Sequence, residues 1–278
     1  MSNLKLIHHI TNKIYLLEKL VLYCKSYIND LEHVKILLDS VKEFNIESIP
    51  FYISVPKAHF DTFKKELIGD YTLLIDEDIV SADQGWMGQQ IVKSEFWKLG
   101  LCENYLCIDS DCLFIKPFYK KDFMFDENTP YTICHEYKSL FEFMDKNPLS
   151  FDPYVSFVED REKIMKVFDR DGVIYDFGPG PTIWSTKVWS SLEEHYLKPN
   201  NLKFKDLIDH CPSEFTWYGE WLLASKCIDL FPRGPLFKNY HYPHQYDLDQ
   251  QQNYDIDKIK KLYLGIGLQS IYNLKLKK

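Results

Sequence analysis

The chain has 278 residues, 45% of them hydrophobic and 27% charged, enough for one large domain or two small ones with a substantial core. Its 33 basic residues face 41 acidic ones, and the net charge of −8 excludes a nucleic-acid polymer as partner, because that binding rests on neutralising phosphates. A small phosphorylated ligand stays open, since a metal ion can offset its charge locally. Taken in chain order, residues 4–19 predict a leading helix, with Leu6, Ile10, Ile14 and Leu17 spaced three or four apart. "LVLYCKS" (20–26) predicts the first core strand. Residues 30–44 predict a helix opened by an Asp30 cap, with Leu31, Val34, Leu38, Val41 and Phe44 as its apolar stripe.

Residues 48–56 predict a second strand, 59–69 a helix closed by Gly69, and 71–76 a third strand. Residues 85–100, bracketed by glycines, predict a helix, and "YLCIDSD" (105–111) a fourth strand. Strict alternation of strand and helix implies crossover connections and a largely parallel sheet, in which ligands bind beyond the carboxyl ends of the strands. Beyond residue 118 the alternation loosens. A strand is expected over 131–137, a short helix over 162–168, a Gly/Pro turn feeding a strand over 176–184 and a helix over 186–197. An aromatic-rich loop and helix follow over 213–227, then a late strand or loop over 235–246 and a closing helix over about 248–264. No linker interrupts the chain, so one domain is expected over 1–278, with an irregular second half.

Asp109-Ser110-Asp111 stands at the carboxyl end of the fourth strand, between apolar runs. Asp and Ser are turn formers, and a tight turn is the plain reading. Two carboxylates between buried runs also repel each other and lose hydration unless a cation sits there. Asp-x-Asp in a bend holds a hard divalent ion such as Mg²⁺ or Mn²⁺, which leaves sites for water and substrate phosphates. On the preceding helix Gln89, Gln90 and Lys93 share one sector, near Trp86 and Trp97, while Val92, Phe96 and Leu99 form a core sector. Lys93 alone suits a solvated face; with two tryptophans beside it the sector suits a pocket wall. In an open α/β sheet the end of the first strand also lies in the ligand crevice, so Lys25, Ser26 and Tyr27 are expected at the base of a nucleotide.

"GWMGQQIVKSEFWKLGLCENYLCIDSDCLFIKPF" (85–118) resembles the donor-site segment of GT-A-fold glycosyltransferases. It is most similar to bacterial polysaccharide-cluster proteins that carry a Gly-Trp…Gln-Gln helix, a strand ending Asp-x-Asp and then Phe/Leu-x-Lys/Arg-Pro. Pieces at 26–56 and "SEFTWYGEW" (213–221) are similar to their opening strand and helix and to a late segment; "DFGPGPTIWSTKVW" (176–189) departs from their middle segment. The resemblance implies a GT-A fold with a nucleotide-sugar donor half over about 20–118 and an acceptor half over about 119–278. It also implies metal-dependent sugar transfer from a nucleotide-sugar, a UDP-sugar favoured, to a glycan or lipid-linked glycan in surface polysaccharide synthesis. Asp109, Ser110 and Asp111 would then meet the Mn²⁺ or Mg²⁺ and the diphosphate, helped by Lys93.

Deprotonating an acceptor hydroxyl calls for a carboxylate, and Glu214 and Glu220 are the candidates, against a helix-capping role for the first and a surface position for the second. His241 and His244, in "NYHYPHQY", are candidates to complete the metal shell, against a packed structural role. Two other readings stay open. A haloacid-dehalogenase-like phosphohydrolase also ends a buried strand in Asp-x-Asp, although on the first strand and followed by Thr or Val. A non-catalytic carbohydrate-binding protein would use the metal and rings only to hold sugar.

No run approaches the roughly 18 apolar residues of a membrane span. The start "MSNLKLIHHITNK" lacks the regions of a secretory signal. Seven cysteines without a Cys-x-x-Cys pair read as reduced thiols. A cytoplasmic protein is therefore expected, with at most a peripheral contact at the inner face of the membrane through the basic tail "YNLKLKK" (272–278).

Overall fold

The structure, a computed structural model, describes residues 17–81, 85–147 and 153–269. The chain opens with β1 (Glu18–Lys25), α1 (Leu31–Phe44), β2 (Phe51–Val55), α2 (Phe60–Glu66), β3 (Thr72–Ile75) and a single turn, α3 (Asp76–Ile79). Helix α4 (Trp86–Glu95) and β4 (Cys102–Asp109) complete the alternating half. The leading helix expected over 4–19 lies outside the described residues except at its end, where Glu18 and Lys19 already belong to β1. Glycines do bracket α4: Gly85 has φ +101° at its start, and Gly100, with φ +62°, ends the 3₁₀ turn Phe96–Leu99 that follows.

The main sheet runs β3-β2-β1-β4-β7, where β7 is Thr182–Ser185. Its first four strands are parallel, and only the edge strand β7 runs antiparallel, against β4. This is an α/β fold with a mostly parallel central sheet flanked by helices. Both faces are buried, as residue alternation dictates. Leu20, Leu22 and Cys24 of β1 join Leu106 and Ile108 of β4 in the core under α1 and α2; Val21 and Tyr23 join Tyr105 and Cys107 in the opposite core.

At Ser110-Asp111 the chain leaves this sheet. β5 (Cys112–Phe114) pairs antiparallel with β10 (Gly265–Leu268), which itself pairs parallel with β9 (Phe237–Tyr240). The acidic pair therefore occupies the bend where the backbone passes from one sheet to another. A β-carbon on Gly265 would stand 2.4 Å from the Leu113 carbonyl, and one on Gly267 would stand 1.9 Å from Asn239 Oδ1. Glycine is what lets β10 fit between its neighbours.

The second half adds β6 (Thr132–Ile133), α5 (Lys138–Lys146), α6 (Pro153–Val167), α7 (Thr186–Leu192), α8 (Phe204–Leu207), α9 (Glu214–Ser225) and β8 (Pro232–Arg233), the partner of β6. Three expectations need correction here. The strand over 131–137 shrinks to two residues, and the helix over 162–168 extends back to Pro153. The closing helix is two short ones, α10 (Pro243–Gln251) and α11 (Ile256–Leu262), followed by β10. Asn253 takes a left-handed φ of +53° and the Asp255 side chain caps α11 by accepting from Lys258 N, which breaks the run. All seven cysteines are unpaired, and five of them are buried.

Candidate functional site

A cleft of about 870 Å³ opens beyond the carboxyl ends of the parallel strands, within the size range of small-molecule sites. Register sets its floor: Lys25, the last residue of β1, lies opposite Asp109, the last of β4. The cleft is lined by Lys25, Tyr27, Gln89, Gln90, Lys93, Asp109, Ser110, Asp111, Glu214 and His241 from the sequence-predicted set. Ser26 is buried just behind Lys25, its hydroxyl without a partner among the described residues.

Lys93 is the electrostatic centre of this wall. Helix α4 buries it, and its ammonium lies 2.6 Å from Asp109 Oδ1 and 3.0 Å from Glu214 Oε1. The Tyr105 hydroxyl donates to the Lys93 carbonyl at 3.1 Å and ties α4 to β4. Burial alone would lower the ammonium's pKa, but Asp109 and Glu214 outweigh it and hold the group well above its usual range. Burial pushes Glu214 up, against the pull of Lys93. Ser213, not Glu214, caps α9, its hydroxyl accepting from Thr216 N.

Asp30 does not cap α1 with its side chain, contrary to expectation; its Oδ2 accepts from Ser110 Oγ at 2.8 Å. Lys25 pairs with Asp76 at 3.2 Å, at the end of β3, while Asp76 Oδ1 has no partner among the described residues. Opposite Asp109 lies the Gly/Pro segment 176–181. Arg161 Nη2 holds Asp176 Oδ1 at 2.7 Å, His135 Nε2 donates to the Gly178 carbonyl at 2.8 Å, and Asn239 Nδ2 to the Gly180 carbonyl at 2.9 Å. A β-carbon on Gly180 would stand 2.9 Å from Asp109 Oδ2.

Three sequence-predicted residues are placed differently. Glu220 is fully buried away from the cleft, where both its carboxylate oxygens accept from Arg170. It is neither a surface carboxylate nor within the site. His244 is exposed and bonds Asn147 Oδ1 at 3.1 Å, outside the cleft lining. His241 lines the cleft, but its Nε2 shares a 2.6 Å hydrogen bond with the Tyr137 hydroxyl. Among the described residues no group of three or more His, Cys, Asp or Glu side chains is arranged to hold a metal ion, so the expected histidine completion of the shell is not assembled.

Asp30, Asp76, Tyr137, Arg161, Asp176 and Gly180 join the site without having been singled out in the sequence. Asp30 read as a cap and Asp76 as the end of a strand; only strand-end position hinted at the latter. The sum of charges is informative. Seven carboxylates (Asp30, Asp76, Glu77, Asp109, Asp111, Asp176 and Glu214) line the cleft against Lys25, Lys93 and Arg161. Such an excess repels a bare diphosphate and favours a cation. The available donors at the bend are hard oxygens, and two carboxylates suit Mg²⁺ or Mn²⁺, ions that use few protein ligands and keep positions for phosphate and water.

No helix among the described residues is long and apolar enough to cross a membrane. None of the curated proteins searched matches the chain. Residues 11–256 match a family described as a family of unknown function (DUF6492), and the chain belongs to that family.

Proposed function

We propose that the chain is a divalent-metal-dependent glycosyltransferase of the GT-A type, moving a sugar from a nucleotide-sugar to a glycan or lipid-linked glycan hydroxyl in bacterial surface polysaccharide assembly. The observation that carries the reading is Asp109-Ser110-Asp111 at the carboxyl end of β4, at the rim of a cleft whose carboxylates outnumber its cations. Asp109 and Asp111 would hold the ion, which when bound supplies neutralisation of charge on the departing diphosphate. The protein's own residues set the geometry. Lys93, itself held by Glu214, fixes Asp109 Oδ1, and Ser110 ties the bend to Asp30. Lys25 and Tyr27 stand at the nucleoside end, where the Tyr27 ring, 40% exposed, is free to stack on a base.

The test is a thermal-shift screen of UDP-, GDP- and CMP-sugars with and without Mn²⁺. The expected outcome is stabilisation by a UDP-sugar only with Mn²⁺, lost in Asp109→Asn and Asp111→Asn variants that keep their own melting temperatures. Phosphate release from simple phosphomonoesters without sugar transfer would replace the reading with a phosphohydrolase. Binding of free sugars without any nucleotide requirement would replace it with a carbohydrate-binding protein.

A further inference from the structure

Gln90 is 1% exposed, yet it lines the cleft, and neither its Nε2 nor its Oε1 has a hydrogen-bond partner among the described residues. A buried amide left without partners at both ends is costly, and native proteins rarely keep one unless something else pairs with it. Trp86 stands four residues earlier on α4, on the same helix face, lining the same cleft with 58% of its surface exposed. Lys93, three residues later, touches Asp109. An exposed ring, an orphaned amide and the residue that grips the acidic pair thus succeed one another along a single wall.

We infer that Trp86 and Gln90 form the seat of the donor's sugar ring, the ring packing on the indole and two neighbouring hydroxyls pairing with the amide. This rests on the glycosyltransferase reading and assigns the part of the donor that α4 recognises. The pairing follows from hydrogen-bond inventory. A phosphate oxygen only accepts and would satisfy Nε2 while leaving Oε1 orphaned. A hydroxyl both donates and accepts, so a vicinal diol satisfies both ends of the amide at once. Position agrees. The amide lies one helical turn, about 5–6 Å between β-carbons, from Lys93, whose partner Asp109 marks the diphosphate end. The nucleoside end lies across the sheet at Lys25 and Tyr27, and the sugar is the group on the far side of the diphosphate. An aromatic face offers the apolar side of a pyranose a platform while its hydroxyls are bonded elsewhere.

The experiment measures dissociation constants by calorimetry with Mn²⁺ present, for UDP-glucose, UDP-galactose, UDP-N-acetylglucosamine and GDP-mannose, each beside UDP or GDP. Gln90→Met and Trp86→Ala are compared with wild type, and the melting temperature of each is taken without ligand. The inference expects the best-bound sugar nucleotide to weaken about tenfold in either variant while its parent nucleoside diphosphate binds as before. It also expects Gln90→Met to melt at or above the wild-type temperature without ligand, since an unpaired amide is removed. Equal weakening of sugar nucleotide and diphosphate, no weakening of either, or a clear loss of ligand-free stability in Gln90→Met would each overturn it. If wild type binds nucleoside diphosphates but none of these sugar nucleotides, the sugar seat fails while the metal–diphosphate site stands. If it binds neither class, the glycosyltransferase reading itself fails.

Discussion

Lys93, itself buried, bridges the buried Glu214 and the partly exposed Asp109, and this makes it a positioning residue for Asp109 rather than a free cation. Lys93→Ala would leave the Glu214 carboxylate buried without its cation, a change that costs about 3–5 kcal/mol in comparable pairs. Urea unfolding should show that loss. Lys93→Arg, which keeps the charge but not the point geometry, should recover most of the stability, and under the proposed glycosyltransferase function it should leave Mn²⁺-dependent nucleotide binding weakened.

Glu220 makes the contrasting case. Glu220→Ala strands Arg170 and should also destabilise by about 3–5 kcal/mol, but under the proposed function the nucleotide-sugar affinity of the folded variant should match wild type, since Glu220 lies outside the cleft. His241 gives a pH signature. Burial lowers its pKa below the ordinary 6.5, with Asp176 opposing. The unfolded chain takes up that proton more readily, so the stability tied to the neutral imidazole is complete above 6.5 and is lost as pH falls through the folded value. The melting-temperature advantage of wild type over His241→Asn should therefore shrink from about pH 7.5 to about pH 5.

At the scale of elements, the site depends on how segment 176–181 approaches β4. Arg161, His135 and Asn239 reach it from three different parts of the chain, and Gly180 comes so close to Asp109 that a methyl group would press on Oδ2. Asp109 cannot readily yield, because Lys93 holds its other oxygen. Gly180→Ala should thus leave the melting temperature within a few degrees of wild type and, under the proposed metal-dependent function, raise the Mn²⁺ concentration needed for nucleotide binding several-fold, read by metal titration. Gly219→Ala should behave differently. Its added carbon would stand 2.0 Å from the buried Phe177 ring, so the expected result is lost stability at a distance from any metal effect. Residues 176–181 illustrate what sequence reading reached and what it missed. The Gly/Pro turn into a strand was legible from its glycines and prolines, but that the turn covers Asp109 was not, because its three anchors, His135, Arg161 and Asn239, stand 43, 15 and 59 residues from the residues they hold.

Across the whole molecule, two kinds of information separate. Local pattern alone determined the alternating half: apolar runs, the α1 stripe and the glycines around α4 predict β1 to β4 with their helices, because burial on both faces of a parallel sheet leaves a period and a composition that can be read residue by residue. It also placed Asp109 and Asp111 at a strand end, and hence at the edge where ligands bind in such sheets. Only the tertiary structure decided that Glu214 shares Lys93 with Asp109 across 121 positions, that Glu220 turns away to Arg170, and that His241 meets Tyr137 instead of the acidic pair. It also revealed β10, whose glycines carry almost no strand signal by themselves yet are required between β5 and β9. The physical reason is common to all of these. A strand or helix announces its own buried face through neighbours in sequence, whereas the partner of a buried charge is set by whichever distant element the packing of the sheet brings within hydrogen-bond reach.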